Sequence, residues 1–389
     1  MFLRLSKPLL SNSFFVFGAR GTGKSTLVKG LLPSDKTLFI DLLRADDEDR
    51  FAKDPTSLIS EIQGKLTHLE WVMIDEVQKI PKILDIVHHV MEAPATNHIK
   101  FALTGSSARK LKLAGANLLA GRAFVNDLYP LTHVELKEEF DLNSALNWGT
   151  LPKVANTREE LSQGEFLRTY ARTYLKEEVW DERLIHNLDP FRKFLEIAAE
   201  SNGTIINHSA LARQSGADDK TVKKYFEILA DTFVGFYLEA HSLSVRKQQI
   251  LSPKFYFFDT GVKRALEGLL QVPVVARTFA YGRAFEHFLI CECMRLNSYG
   301  RKDYRFSFLK TKTDLEIDLI IQRPGARQVC IEIKSSDAVD ETHAKVLHSF
   351  RADFPDAEFY ILSNDQRPKK FGTIKALHWV EGLKEIGLS

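Results

Sequence analysis

The apolar positions in the first third of the chain form short continuous runs, separated by longer polar stretches. Continuous apolar runs are typical of strands buried on both faces of a parallel sheet, and the stretches between them predict helices. The predicted strands are Phe14–Phe17, Thr37–Asp41, Trp71–Ile74, Lys100–Thr104 and Ala123–Leu128. Residues 1–130 are therefore predicted to form an α/β domain around a parallel sheet.

The pattern changes after Tyr129-Pro130-Leu131. Residues 131–188 are predicted to be a mostly helical lid or linker. Residues 189–272 predict a winged-helix module with three helices and a hairpin. Its predicted elements are helices over Phe191–Ser201, over Ser209–Gln214 and from Asp218 or Asp219 to Asp231, then strands over Phe233–Ala240 and Phe255–Phe258.

The last segment, residues 273–389, returns to a mixed pattern. A helix is predicted around Gly282–Leu296, followed by strands at Glu316–Ile321, Val329–Lys334 and Glu358–Leu362. With a further strand and a later helix, this order gives an α-β-β-β-α-β unit. The whole chain is predicted to be α/β, with a helical lid, a winged helix and a second α/β domain.

The octapeptide Gly18–Ser25 has the form G-x-x-x-x-G-K-S and lies between the first predicted strand and a helix. In that context glycine-rich backbone N–H groups surround phosphate oxygens at a helix N-terminus. Lys24 is expected to reach the β- and γ-phosphates and Ser25 to bind Mg²⁺. The predicted ATP contacts are Gly18, Ala19, Arg20, Gly21, Thr22, Gly23, Lys24, Ser25 and Thr26, joined by Asp75 and Thr104.

Two acidic residues follow the third predicted strand and indicate hydrolysis of the bound ATP. Asp75 is expected to hold Mg²⁺, and Glu76 to orient the attacking water. The next strand ends in hydroxyl side chains, of which one is expected to sense the γ-phosphate. The candidates are Thr104, Ser106 and Ser107, and an ordinary polar loop is an equal alternative for each.

A second constellation lies near the C-terminus. Asp318 is followed, after thirteen residues, by Glu332-Ile333-Lys334, the D…(D/E)-x-K pattern of restriction-endonuclease-like nucleases. Carboxylates on adjacent strands can share one Mg²⁺, which activates water against a phosphodiester. Lys334 would position that water, and Glu286 is a candidate outer ligand. The alternative is a surface Asp with an incidental Glu–Lys pair.

Basic residues in the predicted winged helix favour DNA contact. Lys220, Lys223 and Lys224 fall on one face of the third helix, and Arg246 and Lys247 lie in the hairpin connection. Only phosphate-directed charge is visible, with no set of base-reading residues. The alternative is a structural three-helix module with solvated lysines.

Composition adds little to this picture. The net charge of +2 means that DNA contact depends on local basic patches. Three cysteines in apolar surroundings, Cys291, Cys293 and Cys330, predict buried free thiols in a reducing compartment. No apolar run is long enough to cross a membrane, and the N-terminus does not have the pattern of a signal peptide. A cytoplasmic location with no membrane partner is expected.

The whole chain resembles bacterial and archaeal AAA+-type ATPases that carry a C-terminal domain of unassigned function. The resemblance implies a winged helix followed by a restriction-endonuclease-like fold, and oligomers in which an arginine of one subunit reaches its neighbour's nucleotide. Arg122 is the first candidate for that arginine and Arg109 the second, with a surface ion pair as the alternative. Two departures are mild: Thr150 and Leu151 lie where the family is richer in glycine, and Lys310 lies where arginine is common. The matching segments are Gly18–Ser25, Val72–Gln78, Leu103–Ser107, Leu118–Arg122, Leu128–Leu131, Gly149–Pro152, Lys254–Gly261, Gly282–Glu286, Glu316–Asp318 and Ile331–Lys334.

Three functions are compatible with these features. The first is an ATP-hydrolysing, DNA-binding homo-oligomer, expected as a hexameric ring on branched or single-stranded DNA, with Mg²⁺-dependent cleavage by the C-terminal domain left open. The second is a nucleotide-controlled switch that binds DNA or protein and cuts nothing. The third is a signalling ATPase stimulated by a protein ligand.

Overall fold

A computed structural model describes residues 2–107, 119, 121–174, 188–241 and 252–389. The described chain divides into two compact units. The first contains residues 2–131 and 227–234, and the second contains residues 132–174, 188–226 and 235–389. Each unit has its own sheet. The predicted Arg109, Arg246 and Lys247 lie outside the described residues.

The first unit is built on a five-stranded sheet in which every pairing is parallel. The strand order is β2-β3-β4-β1-β5. All five strands predicted from apolar runs are confirmed to within one residue, and the three inner strands are buried on both faces, as continuous apolar runs indicate. Their bounds are β1 Ser13–Phe17, β2 Thr37–Asp41, β3 Trp71–Asp75, β4 Lys100–Gly105 and β5 Ala123–Asp127.

Helices follow the strands, as the alternating pattern predicts. Buried aliphatic and aromatic side chains from strands and helices form one core, including Phe15, Phe17, Phe51 and Ile74. Because β4 lies between β1 and β3, its carboxyl end lies beside both the loop after β1 and the acids after β3. The helices are α1 Lys24–Leu31, α2 Ala45–Lys53, α3 Ser57–Gln63 and α4 Ile83–Glu92, with 3₁₀ turns at Ser34–Lys36 and Val77–Lys79.

The remaining described helices belong to the second unit, except that the last turns of the helix over Asp219–Asp231 belong to the first. Polar side chains cap several of them: Thr132 accepts from the Glu135 N–H, and Asn207 accepts from the Ala210 N–H. The helices are α5 His133–Leu136, α6 Leu142–Trp148, α7 Pro152–Ala155, α8 Glu160–Thr169, α9 Leu188–Glu200, α10 His208–Ser215, α11 Asp219–Asp231, α12 Thr260–Leu266, α13 Phe279–Gly300, α14 Lys345–Ser349 and α15 Trp379–Ile386. Shorter turns are the 3₁₀ helices Lys137–Glu139 and Glu341–Ala344 and the π-helix Tyr170–Tyr174.

The sheet of the second unit has eight strands in the order β12-β13-β11-β10-β9-β8-β6-β7. The predicted hairpin is present, but its first strand also pairs in parallel with β8. The hairpin of the fold and the C-terminal strands therefore form one sheet. The strands are β6 Gly235–Ala240, β7 Lys254–Phe257, β8 Arg305–Lys310, β9 Glu316–Gln322, β10 Val329–Lys334, β11 Glu358–Ser363, β12 Lys369–Phe371 and β13 Ile374–His378.

The predicted helix-turn-helix is also found. Helix α10 ends at Gly216, whose φ of 75° is a left-handed conformation that glycine adopts without strain. Asp218 then accepts hydrogen bonds from the backbone of Lys220 and Thr221, at 2.9 and 3.0 Å, and so begins α11. Phe194 packs edge-on against Phe226, which joins α9 to α11.

Two segments singled out by the sequence interlock within the second unit. Asp259 is fully buried, and its carboxylate accepts the Thr150 N–H at 2.8 Å. A methyl group at Gly149 would lie 2.0 Å from that carboxylate, and one at Gly261 would lie 1.9 Å from the Trp148 carbonyl oxygen. These glycines are required because the buried Asp259 carboxylate at Gly149 and the Trp148 backbone at Gly261 lie closer than any Cβ permits.

Two further expectations concern the whole chain. Cys291, Cys293 and Cys330 are free and buried, as predicted. Among the described helices, none combines the length and the apolar character needed to cross a bilayer.

Candidate functional site

The loop after β1 has the backbone conformation of a phosphate-binding loop. Gly21 and Gly23 have φ values of 82° and 94°, which turn the backbone before α1 begins at Lys24. A Cβ at Gly18 would lie 2.1 Å from the Leu128 carbonyl oxygen at the end of β5. The loop is therefore held tightly between neighbouring strands, with its N–H groups at a helix N-terminus.

Lys24 is buried, and the loop itself holds its ammonium group. Its Nζ donates to the carbonyl oxygens of Gly18 at 2.9 Å and Ala19 at 3.3 Å. The same nitrogen lies 3.7 Å from Glu76 Oε1. The structure thus brings the predicted phosphate-binding lysine next to the predicted water-orienting carboxylate, although 52 positions separate them in the sequence.

Glu76 is fixed by several contacts. Its φ of 56° is rare for a residue with a side chain, and such conformations concentrate at functional sites. Burial by itself would raise the pKa of the Glu76 carboxyl. The positive charge of Lys24 and hydrogen bonds from Gln78 and Ser106 oppose this effect of burial. Together they hold the pKa of Glu76 below its usual value. Glu76 is therefore ionised at neutral pH and able to accept a hydrogen bond from water.

Thr104 connects the two acids that follow β3. Its hydroxyl donates to Asp75 Oδ1 and accepts the Glu76 N–H at 3.2 Å. This contact exists because β4 lies directly beside β3. Of the three hydroxyl candidates at the end of β4, Thr104 contacts both acids and Ser106 contacts Glu76 at 3.1 Å. Ser107 is buried next to them in the chain.

Sequence reasoning missed Gln78. Its amide nitrogen donates to Glu76 Oε2 and to Ser106 Oγ at 2.9 Å, so it links the ends of β3 and β4. A Cβ at Gly105 would lie 2.7 Å from the Gln78 side-chain oxygen. The signal was present, since Gln78 belongs to the family-like segment Val72–Gln78, but no pattern assigned it a role.

We expect Thr104→Val to lower kcat for ATP hydrolysis about tenfold or more while ATP is still bound. Valine keeps the shape of threonine but leaves Asp75 and the Glu76 N–H without their shared partner, and an unpaired buried group costs about 1–3 kcal/mol. Steady-state phosphate release and nucleotide affinity measure the two effects. Thr37→Val, at the amino end of β2, is the matched control, and equal loss in both variants would contradict the assignment.

The C-terminal pattern residues also meet in space. The antiparallel register of β9 and β10 runs to the pair Leu319–Ile331, and Asp318 and Glu332 follow it immediately. Asp318 Oδ2 accepts the Ile333 N–H at 2.7 Å. Lys334 Nζ lies 2.5 Å from Glu332 Oε1. The three residues of the nuclease-like pattern therefore share one face at the centre of the eight-stranded sheet.

Charge crowding marks this second site. Burial and then the charge of Glu332 raise the pKa of Asp318 well above its usual value. Burial also raises the pKa of Glu332, although the positive charge of Lys334 lowers that pKa in part. Glu332 is buried and Asp318 is half-buried, and two carboxylates in such proximity are stabilised by a shared cation or a shared proton.

Three residues near this cluster had no role in the sequence analysis: Lys254, Tyr256 and Glu316. Lys254 Nζ lies 2.5 Å from Glu316 Oε1 and 3.4 Å from Glu286 Oε1. The Tyr256 hydroxyl donates to Glu286 at 2.7 Å. Glu286 therefore has two partners on β7, a strand of the predicted wing. The available signal for these three residues was their place in the matching segments Lys254–Gly261 and Glu316–Asp318, but only the fold shows where β7 lies.

The residues present are compatible with one Mg²⁺ at Asp318 and Glu332. In the described part of the chain no three His, Cys, Asp or Glu side chains are grouped as a metal-binding set. Mg²⁺ nevertheless commonly uses one or two carboxylates and keeps several waters. Glu332 Oε2 is buried without a hydrogen-bond partner, so one hard oxygen in this cluster is available as a ligand.

The remaining predicted residues lie on the surface. Lys220, Lys223 and Lys224 are exposed on α11. Arg122 is 43% exposed and forms an ion pair with Glu92 at 2.6 Å, which matches the alternative of a surface ion pair within one subunit. A role for Arg122 in a neighbouring subunit remains a prediction.

Family models match three consecutive parts of the chain. Residues 11–137 match an AAA domain, residues 139–272 match a domain of unknown function (DUF8612), and residues 281–381 match a second domain of unknown function (DUF4143). The AAA match covers the five-stranded sheet and the phosphate-binding loop. Together with the site geometry, this match supports an AAA-type P-loop fold for the first unit.

Relatives and solved structures are distant. An uncharacterised protein of Mycobacterium tuberculosis is 25% identical over 319 residues, which is 82% of this chain and 69% of the relative. An uncharacterised protein of Haemophilus influenzae is 21% identical over 276 residues, which is 64% of this chain and 68% of the relative. The Thermotoga maritima RuvB Holliday junction branch migration motor aligns at 20% identity over 58% of this chain and 81% of its own, with a TM-score of 0.29. Domain III of the Thermotoga maritima replication initiation protein DnaA aligns at 16% identity over 42% of this chain and 78% of its own, with a TM-score of 0.23.

Proposed function

We propose that this protein hydrolyses ATP to act on DNA, as a homo-oligomer, with a Mg²⁺-dependent phosphodiester site in its second unit. The observation that carries the ATPase part is the 3.7 Å approach of Lys24 to Glu76 inside a buried hydrogen-bonded network. The Lys24 ammonium and the ionised Glu76 carboxylate are neighbours, so one can bind the γ-phosphate while the other accepts a hydrogen bond from a water beside that phosphate.

Each residue of the ATP site has a distinct part. The loop N–H groups and Lys24 bind the phosphates, and Ser25 and Asp75 supply the hydroxyl and carboxylate oxygens that suit Mg²⁺. Bound Mg²⁺ would neutralise charge on the phosphates. Glu76 accepts a hydrogen bond from the attacking water, and Thr104 keeps both acids in place through the contacts described above.

The second site has the composition of a phosphodiester-cleaving centre. Asp318 and Glu332 would hold Mg²⁺, which supplies an activated water and offsets phosphate charge. Lys334 remains 37% exposed, so its ammonium can contact a phosphate without leaving Glu332. Because Lys334 lies on a sheet face and is partly exposed, a large polyanion can reach these residues, and we propose DNA as the substrate.

DNA contact is attributed to exposed lysines on α11. Lys220, Lys223 and Lys224 lie on the helix that follows the glycine turn, the helix that contacts DNA in helix-turn-helix proteins. A chain with a net charge of +2 binds a polyanion weakly as a monomer. An oligomeric ring sums such contacts, and Arg122 would then reach the ATP of a neighbouring subunit.

The test combines ATP turnover with strand integrity. Phosphate release is measured with no DNA, duplex, single-stranded and four-way-junction DNA in Mg²⁺, and the same DNA is run on a denaturing gel. We expect DNA to stimulate ATP turnover and the wild type to cut the DNA strands. The Asp318→Asn variant should leave the strands intact while its ATPase rate is unchanged. If no DNA changes the turnover and none binds at low salt, the proposal fails.

One observation favours a second candidate, a nucleotide-controlled switch that does not cut. Lys254 already neutralises part of the acidic cluster, and the described residues contain no three-residue metal set. Under this alternative DNA or a protein partner stimulates the ATPase, strands stay intact, and Asp318→Asn changes nothing. The same experiment therefore separates the two candidates.

A further inference from the structure

The acidic face of the eight-stranded sheet carries more charge than the D…E-x-K pattern accounts for. The four carboxylates are Glu286, Glu316, Asp318 and Glu332, and the three ammonium groups are Lys254, Lys310 and Lys334. They come from α13, β7, β8, β9 and β10. The arrangement has two sides: Asp318 and Glu332 lie beside Lys334, whereas Glu286 and Glu316 lie beside Lys254.

Lys254 differs from the other two lysines in its burial. It is 3% exposed, and its ammonium lies 2.5 Å from Glu316 and 3.4 Å from Glu286. Lys310 and Lys334 are 32% and 37% exposed and can move toward solvent or a ligand. Lys254 is also anchored by its strand, since β7 pairs with β6, and Tyr256 two residues later bonds the same Glu286.

A second metal ion would need the place that Lys254 occupies. Two-metal phosphodiesterase sites hold their ions about 3.5–4 Å apart, with acidic ligands on both sides. Here the acids of one side, Glu286 and Glu316, are already bound to a buried ammonium at ion-pair distance. A divalent ion beside them would be placed against a fixed positive charge.

We propose that Lys254 is the permanent cation of the Glu286–Glu316 side, so that this site binds one divalent metal ion, on Asp318 and Glu332, and not two. This inference rests on the proposed metal site in the second unit and specifies its stoichiometry. It also assigns a function to β7: the wing strand completes the charge balance of the nuclease-like site. Lys254 is a positioning residue, because it contacts the acids and not the substrate.

The test counts Mn²⁺ ions on the full-length chain without nucleotide, by calorimetric titration and by electron paramagnetic resonance. Any ion bound at the P-loop contributes equally to every variant. The difference in ion number between a variant and the wild type therefore reports only the site in the second unit. We expect Asp318→Asn to bind one ion fewer than the wild type. Lys254→Met should bind one ion more, with a spin-coupled Mn²⁺ pair in its spectrum, because removal of the ammonium frees Glu286 and Glu316.

Two variants serve as controls. Lys254→Arg keeps the charge and should bind as many ions as the wild type. Lys310→Met also removes a partner of Glu316 but leaves Lys254 in place, so its count should not change. A spin-coupled pair in the wild type would overturn the inference without any variant, and so would an unchanged count in folded Lys254→Met. If Asp318→Asn loses no ion, the metal part of the proposed function fails as well, which distinguishes the two failures.

Discussion

Replacing Glu76 by glutamine is expected to lower ATP turnover about 10²–10⁴-fold while ATP still binds. This is the range attributed to loss of a positioned general base. Glutamine is nearly isosteric and can still contact Gln78 and Ser106, but it can neither accept a proton nor pair with Lys24. Single-turnover hydrolysis and the Kd for ATP, measured on the same preparation, separate chemistry from binding.

The matched control for this variant is Glu70→Gln. Glu70 immediately precedes β3, is 54% exposed and pairs with Lys36, so it tests the loss of a carboxylate at the opposite end of the same strand. Its turnover should equal that of the wild type. A Glu76→Gln variant with near-normal kcat would show that another group orients the water, and the assignment of Glu76 would be wrong.

Gly261→Ala is expected to destabilise the second unit by about 3 kcal/mol or more. The added Cβ would lie 1.9 Å from the Trp148 carbonyl oxygen and 2.9 Å from the Gly149 nitrogen. Both are backbone atoms that cannot rotate away, so α12 must move from α6, and overpacking of this kind costs about 1–3 kcal/mol or more. Urea denaturation followed by circular dichroism measures the shift in midpoint.

Gly282→Ala is the matched control. Gly282 also lies in a helix, but a Cβ there would meet only Ser335 Oγ, at 3.6 Å. Alanine is favoured over glycine within helices by about 1 kcal/mol, so this variant should be as stable as the wild type or more so. Equal behaviour of the two variants would show that α12 is not packed as closely as the structure indicates.

The alternation of apolar runs and helical stretches was sufficient to predict the first unit. Its three inner strands, β1, β3 and β4, were placed within one residue because they are buried on both faces and read as continuous apolar runs. The edge strands β2 and β5 are partly exposed but still read as short apolar runs. The phosphate-binding loop was equally predictable, since its glycines, lysine and serine are contiguous and act through local backbone geometry. The strand and helix bearing Asp318 and Glu286 were also found, because each has its own periodicity.

Other features depend on contacts between distant segments, and no local pattern specifies those. The position of β4 between β1 and β3 brings Thr104 and Ser106 to the acids of the ATP site. The pairing of β6 with β8 joins the β6–β7 hairpin to the C-terminal sheet, which places Lys254 among Glu286 and Glu316. The sequence places Lys254 just before the predicted strand Phe255–Phe258, but it does not show that the neighbours of Lys254 are acids from a helix and another strand.

Whether the sequence or the tertiary structure decides a feature depends on how far along the chain the responsible forces act. Sequence alone determined the elements and the phosphate-binding loop, because helix and strand preferences, glycine turns and binary patterning act over a few residues. Tertiary structure decided which carboxylate faces which ammonium, because charge pairing in a buried site depends on the order of strands in a sheet. The two lysines that define the candidate sites, Lys24 and Lys254, illustrate the difference: a motif identifies the first, and only the fold identifies the second.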